Sequence, residues 1–253
     1  GARRWIGKLM WSNTFVILLS LFGGKGEPAQ QPEIRSQPAP KRVASLSAAD
    51  LADKVQAFYN NTKNYQATFH QTVQNQTFNK LKPKKSSGRV YIKKPGMMRW
   101  DYKNSGKGPK VSKSFISDGT HLWAVMAKNK QYYKENLANS TLPVAVSFLT
   151  GTGNLRSDFN VSLDKSGKYG SKSDLLLLLT PKAPSARYKK LWLVIDAKSY
   201  SVKQSVVLNS KNDTNIIRFV GVKTNDDSLK KGHFIFNEKA NKDFRLVKPP
   251  NGA

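Results

Sequence analysis

From Tyr65 to Phe236 the chain repeats one pattern: short runs in which apolar and polar residues alternate, separated by a few turn-forming residues. In the first run Ala67, Phe69, Gln71 and Val73 alternate with Gln66, Thr68, His70 and Thr72. A period of two places alternate side chains on opposite faces, which is the signature of a strand with two different environments. Further runs of this kind are Ser114–Ser117, Leu122–Met126, Gln131–Lys134, Asp158–Leu163, Leu175–Thr180, Lys190–Asp196, Ser201–Asn209, Ile216–Val222 and Phe234–Phe236. Asp118-Gly119-Thr120 and Asn212-Asp213 are tight-turn signals between neighbouring runs. Links this short join strands antiparallel, so the pattern predicts one antiparallel sheet, strongly curved or barrel-like.

The hairpin Gly88–Tyr102 shows the alternation most clearly. Val90 and Ile92 share one face with Met98, Trp100 and Tyr102, while Met97, Arg99 and Asp101 look the other way, so one face is expected to be apolar and the other wet. Pro95 with its fixed φ and Gly96 with its free φ suit the chain reversal. Met98 and Trp100 are side chains that a core ordinarily uses, and a pocket for a flexible hydrocarbon also uses them.

Two amphipathic helices interrupt this pattern. Ser47 is an N-cap with Asp50 in the capping-box position, Leu51, Val55, Phe58 and Tyr59 follow at helical spacing, and Asn60-Asn61 ends the helix. Between the strands, residues 141–151 read as a short helix with Pro143 in its first turn, Gly151 closing it, and Val144, Phe148 and Leu149 on its apolar side. At the other extreme, residues 25–44 are rich in Gln, Pro, Lys and Ser and cannot bury enough surface to fold. Ahead of them, Arg3, Arg4 and Lys8 precede an apolar run from Leu9 to Phe22 that is short for a membrane span, which is the layout of an export signal. The expected organisation is an export segment over 1–24, cleaved or kept as an anchor, a linker over 25–44, one folded domain over 45–249 and a tail over 250–253.

Composition narrows the chemistry. The chain has no cysteine, which removes disulfides, thiolate metal sites, thiol catalysis and a lipidated cysteine. His70, His121 and His233 are far apart and sit in no metal or nucleophile motif, so neither an enzyme nor a cofactor is expected. The 43 Lys and Arg against 16 Asp and Glu give a net charge of +27. Such a balance suits anionic lipid surfaces, at about 1 kcal/mol per basic residue near the headgroups. Nucleic acid is the rival partner for that charge, but no recognised module is present and an export signal leads away from it.

The ordered set Phe69-His70-Gln71, Gly88 through Lys94-Pro95 to Arg99-Trp100-Asp101-Tyr102, Ser117-Asp118-Gly119-Thr120-His121-Leu122-Trp123, Phe148-Leu149-Thr150-Gly151, Leu178-Leu179-Thr180-Pro181-Lys182 and Phe234-Ile235-Phe236 resembles the periplasmic carriers of outer-membrane lipoproteins, the LolA family. The resemblance implies a mainly β fold, an unclosed antiparallel β-barrel covered by a lid of short α-helices, acting in the periplasm. It also implies lipoproteins as cargo, an inner-membrane lipoprotein-releasing ABC transporter as donor and an outer-membrane receptor or membrane surface as acceptor, with a monomer as the working form. The residues it assigns to an acyl-binding cavity are Phe69, Val90, Ile92, Met98, Trp100, Tyr102, Leu122, Phe148, Leu149, Leu193 and Phe219. Phe58 and Lys94 are assigned to control of the lid. Lys94 stands where the family motif has an arginine; it keeps the charge and lacks the planar fork of donors. A soluble half-barrel lipid-binding sensor of envelope state shares the architecture and is the alternative function.

Overall fold

The computed structural model describes residues 46–75, 82–137, 153–183 and 188–248. The expected leader, linker and tail, and the expected helix over 141–151 with Phe148 and Leu149, lie outside the described residues.

The chain opens with α1 (Ala48–Asn60), whose start follows from its sequence: the Ser47 side chain accepts from the Asp50 backbone N–H, and the Asp50 carboxylate accepts from the Ser47 N–H. Six strands follow as a meander, β1 (Asn64–Gln74), β2 (Lys84–Lys93), β3 (Met97–Lys103), β4 (Val111–Asp118), β5 (His121–Met126) and β6 (Gln131–Asn136). A short helix α2 (Leu155–Asp158) leads into a second meander, β7 (Phe159–Leu163), β8 (Asp174–Pro181), β9 (Lys190–Asp196), β10 (Val202–Leu208) and β11 (Thr214–Thr224). A final strand β12 (Arg245–Leu246) runs near the C-terminus.

All the strands belong to one sheet, ordered β12-β6-β5-β4-β3-β2-β1-β11-β10-β9-β8-β7. The two meanders are joined where the first strand meets the last, along a ladder from Tyr65 opposite Thr224 to Gln74 opposite Thr214. Gly221, with φ of +63°, lies at a bulge in this ladder where β11 carries one residue more than β1. The architecture is mostly β, one large curved sheet that does not close, with few helices.

Against the inner face lies α1, burying Leu51, Ala52, Val55 and Tyr59. Full burial of a Leu or Val side chain contributes about 1.5–3 kcal/mol, so this stripe is what holds the helix down. Side-chain bonds add direction: the Leu155 N–H donates to Gln56 Oε1 at 3.0 Å and Arg156 pairs with Asp53 at 2.8 Å, tying α2 to α1.

The structure differs from the sequence expectations in three places. Phe234–Phe236 forms no strand; Lys231–Phe234 is a 3-10 turn, and the segment lies across the outer face of the sheet. Its alternation is real, with Phe234 and Phe236 buried and Ile235 exposed, but it comes from packing on a sheet surface and not from a hydrogen-bonded ladder. As a result the outer face of the β2–β3 hairpin is not wet. Met97 packs there with Leu229 and Phe234, while Ile116, Trp123, Val125 and Tyr132 pack with Phe236. Finally, β12 pairs with β6 in parallel, so the sheet is not antiparallel throughout.

Candidate functional site

The inner face of β1–β5 and β9–β11 carries a continuous apolar layer. Register builds it: Val90, Trp100, Phe115 and Ala124 stand side by side on β2, β3, β4 and β5, and Ile92 lies beside Met98. Phe69 on β1 faces Gly88 on one side and Phe219 on the other. Gly88 is required here, because a Cβ would come within 1.9 Å of the Asp101 carbonyl oxygen and 2.8 Å of the Phe69 ring. The ring leans into that space and meets Trp100 and Tyr102 with centroids 5.1 and 4.9 Å away. Phe219 continues the layer to Trp100 at 6.3 Å and to Tyr65 at 6.0 Å.

Of the residues expected to line a cavity, the structure brings Phe69, Val90, Ile92, Met98, Trp100, Tyr102, Leu122, Leu193 and Phe219 into this one cluster, all buried. Phe58 is half-buried at its margin. Tyr59, expected on the apolar stripe of the helix, and Tyr65, Phe115, Leu177 and Leu179 also belong to it; none was assigned to the cavity from the sequence, although the period of two carries the strand residues among them. Tyr59 comes from the helix: its ring lies 6.4 Å from Tyr65 and its hydroxyl accepts from the Val202 N–H at 3.0 Å. Burial pushes the Tyr59 and Tyr65 hydroxyls far above their usual titration range, so both stay neutral.

Two polar atoms in this layer are unmatched. The Trp100 indole N–H and the Tyr65 hydroxyl are buried without a hydrogen-bond partner. Each such donor costs about 1–3 kcal/mol relative to a satisfied one. The layer does have a polar end, where the Ser86 hydroxyl donates to Gln71, Gln71 donates to Asn215 at 3.0 Å, and the Tyr102 hydroxyl bonds Gln71.

The helix over this layer is fixed at its C-terminal end from a distance. No basic residue stands in the last turn of α1. Lys94, at the β2–β3 turn, reaches across, and its ammonium donates to the carbonyls of Tyr59 and Asn60. Burial lowers its pKa, and the helix C-terminus is where a cation is favoured. The Asn61 N–H takes the Ala57 carbonyl and the Thr62 hydroxyl takes that of Phe58, so the carbonyls of the last turn are all satisfied. A lysine here thus bridges two consecutive carbonyls without a planar fork.

An open groove of about 570 Å³ lies on the outer face, lined by Asp118, His121, Trp123, Lys134, Ile235 and Glu238. Several of its polar groups pair with one another, Asp118 with His121 at 3.1 Å and Lys134 with Glu238 at 2.9 Å.

Residues 60–237, more than half of the chain, match the family model described as outer membrane lipoprotein carrier protein LolA. The outer-membrane lipoprotein carrier protein of Dechloromonas aromatica (strain RCB) is 25% identical over 184 residues, covering 71% of this chain and 80% of that protein. That of Neisseria meningitidis serogroup C is 26% identical over 195 residues, covering 77% and 86%. Among solved structures, a LolA superfamily protein from Nitrosomonas europaea aligns with a TM-score of 0.41 at 12% identity over 76% of this chain and 99% of that one. MucB in its complex with MucA from Pseudomonas aeruginosa aligns with a TM-score of 0.42 at 15% identity, over 76% and 62%. By its sequence, the chain belongs to the outer membrane lipoprotein carrier protein LolA family.

Proposed function

We propose that the inner face is the acyl-binding surface of a periplasmic shuttle, which takes lipoproteins from a releasing ABC transporter of the inner membrane and gives them up to a receptor or membrane surface at the outer membrane. The observation that carries this reading is the pair of buried, unmatched donors, Trp100 Nε1 and Tyr65 OH, set in an aromatic layer beneath α1. A folded core ordinarily satisfies such groups. A lipoprotein brings apolar chains for the layer and carbonyl oxygens for the donors.

Carrying requires release as well as binding. Each methylene buried contributes about 0.8 kcal/mol, so one long acyl chain alone would bind too tightly to be surrendered. In this reading α1 and the acyl chain compete for one surface: Leu51, Val55 and Tyr59 cover the layer when cargo is absent, and binding must displace them. The net affinity is then the difference between two burials, and the Lys94 link to the Tyr59 and Asn60 carbonyls sets part of that difference.

The test is release from membranes. The purified protein is added to spheroplasts and lipoproteins are assayed in the soluble fraction, with Trp100→Glu in parallel. Soluble lipoproteins that depend on Trp100 are expected. No release, together with no displacement of a fluorescent acyl probe from the protein, would overturn the proposal.

A further inference from the structure

Lys113 occupies the polar end of the inner face without an acidic partner among the described residues. On β4 it stands two residues before Phe115, on the same side of the strand, and its cross-strand neighbours are Tyr102 on β3 and Met126 on β5. Its ammonium lies 4.1 Å from the centre of the Tyr102 ring and 5.6 Å from that of Phe115. Aromatic faces compensate a desolvated cation in part. The remaining deficit shows in its acidity, since burial, with the nearby Lys84 ammonium, lowers the Lys113 pKa to about 8.

Other basic groups have found carboxylates or carbonyls: Arg99 pairs with Asp101, Lys134 with Glu238, Lys203 with Asp174 and Arg156 with Asp53, while Lys93 and Lys94 donate to backbone carbonyls. No carboxylate of the described residues pairs with Lys113. The Tyr102 ring beside it leads through its hydroxyl to the neutral side chains of Gln71, Ser86 and Asn215, and the nearby Lys84 has the same sign. Two cations with no carboxylate paired to Lys113 among the described residues, at the end of an aromatic layer, make a place where an anion is favoured.

We propose that the inner face takes an anionic amphiphile, with its acyl chain along Phe69, Trp100 and Phe115 and its carboxylate or phosphate paired with the Lys113 ammonium. This rests on the reading of the inner face as an acyl-binding surface, and adds that cargo or a competing lipid is selected by the charge of its head.

The experiment is displacement of the neutral probe N-phenyl-1-naphthylamine from the full chain by dodecanoate, dodecyl phosphate and uncharged dodecyl maltoside, each below its micellar concentration. The expected result is that both anions displace the probe at about tenfold lower concentration than the maltoside. Lys113→Met should remove the preference while leaving the maltoside unchanged. Lys113→Arg and the exposed Lys128→Met should keep it, which separates a specific pairing from the general attraction of a basic protein. Preference for only one of the two anions would assign the head to that class. Equal displacement by charged and uncharged amphiphiles, or a preference that survives Lys113→Met, would overturn the proposal and leave the acyl-binding reading in place. Failure of all three to displace a bound probe would overturn both.

Discussion

Trp100 and Trp123 sit two strands apart in the same sheet and face opposite ways. On the outer face the Trp123 indole donates to Glu238 at 3.0 Å, and Glu238 also accepts from Tyr132 at 3.0 Å and Lys134 at 2.9 Å. Arg99 pairs with Asp101 and reaches the His233 carbonyl, and among the described residues the buried Nε2 of His233 is left unmatched there. The inner face is built from the same kinds of residue, yet among the described residues it leaves the Trp100 and Tyr65 donors without an acceptor and Lys113 without a carboxylate. The C-terminal segment completes the outer face as the chain folds. Among the described residues, the inner face retains two donors that meet no acceptor and a cation that meets no carboxylate.

The sharpest break of this comparison is at two glycines. Gly88→Ala forces a methyl group against the Asp101 carbonyl within the inner layer, and should destabilise the protein by about 3 kcal/mol or more, read as a lowered denaturant midpoint. Gly232→Ala, in the outer segment, meets nothing within 4 Å and should leave the midpoint unchanged.

A smaller effect separates the faces by pH. The folded-state pKa of Lys113 is depressed, so its contribution is present in full above the unfolded value of 10.5 and lost as pH falls to about 8. At neutral pH the charged Lys113 is therefore a cost, and Lys113→Met should raise stability at pH 7, with the gain shrinking as pH rises through about 8 towards 10.5. The Glu238 pKa is also depressed, by its bonds to Lys134 and Trp123, so its contribution is present above 4.5 and lost as pH falls further. Trp123 fluorescence should change in that acid window while the inner layer stays intact.

The smallest effect isolates single hydrogen bonds. Trp100→Phe and Trp123→Phe remove similar apolar area, but only the second breaks a bond. Trp123→Phe should cost about 1 kcal/mol more in equilibrium unfolding. Equal losses would mean that the indole of Trp100 is already satisfied.

Much of this was legible in the sequence because alternation is local. The faces of Val90, Ile92, Met98, Trp100 and Tyr102, the turn at Gly96 and the capped start at Ser47 each depend on residues within a few positions of one another. The Phe234–Phe236 run shows the limit: an extended segment lying on a sheet and a strand within it share a period of two, and only the distant partners, Met97 for one phenylalanine and Tyr132 for the other, distinguish them. Glu238 is an exposed-looking acid in a lysine-rich stretch until Trp123, Tyr132 and Lys134 are brought to it from more than a hundred residues away. Lys113 likewise reads as one more solvated lysine, and its meaning lies in which groups do not come near it.

An open sheet has two edges, and each is an invitation to a neighbouring molecule. Here β12 binds along β6 with only Arg245 and Leu246, and α1 packs alongside the five-residue β7 at the other end. The two guards are small in energy and large in consequence. They stand at the two ends of the strand order, where an unclosed sheet would otherwise present unpaired amides on which a second copy could begin to assemble.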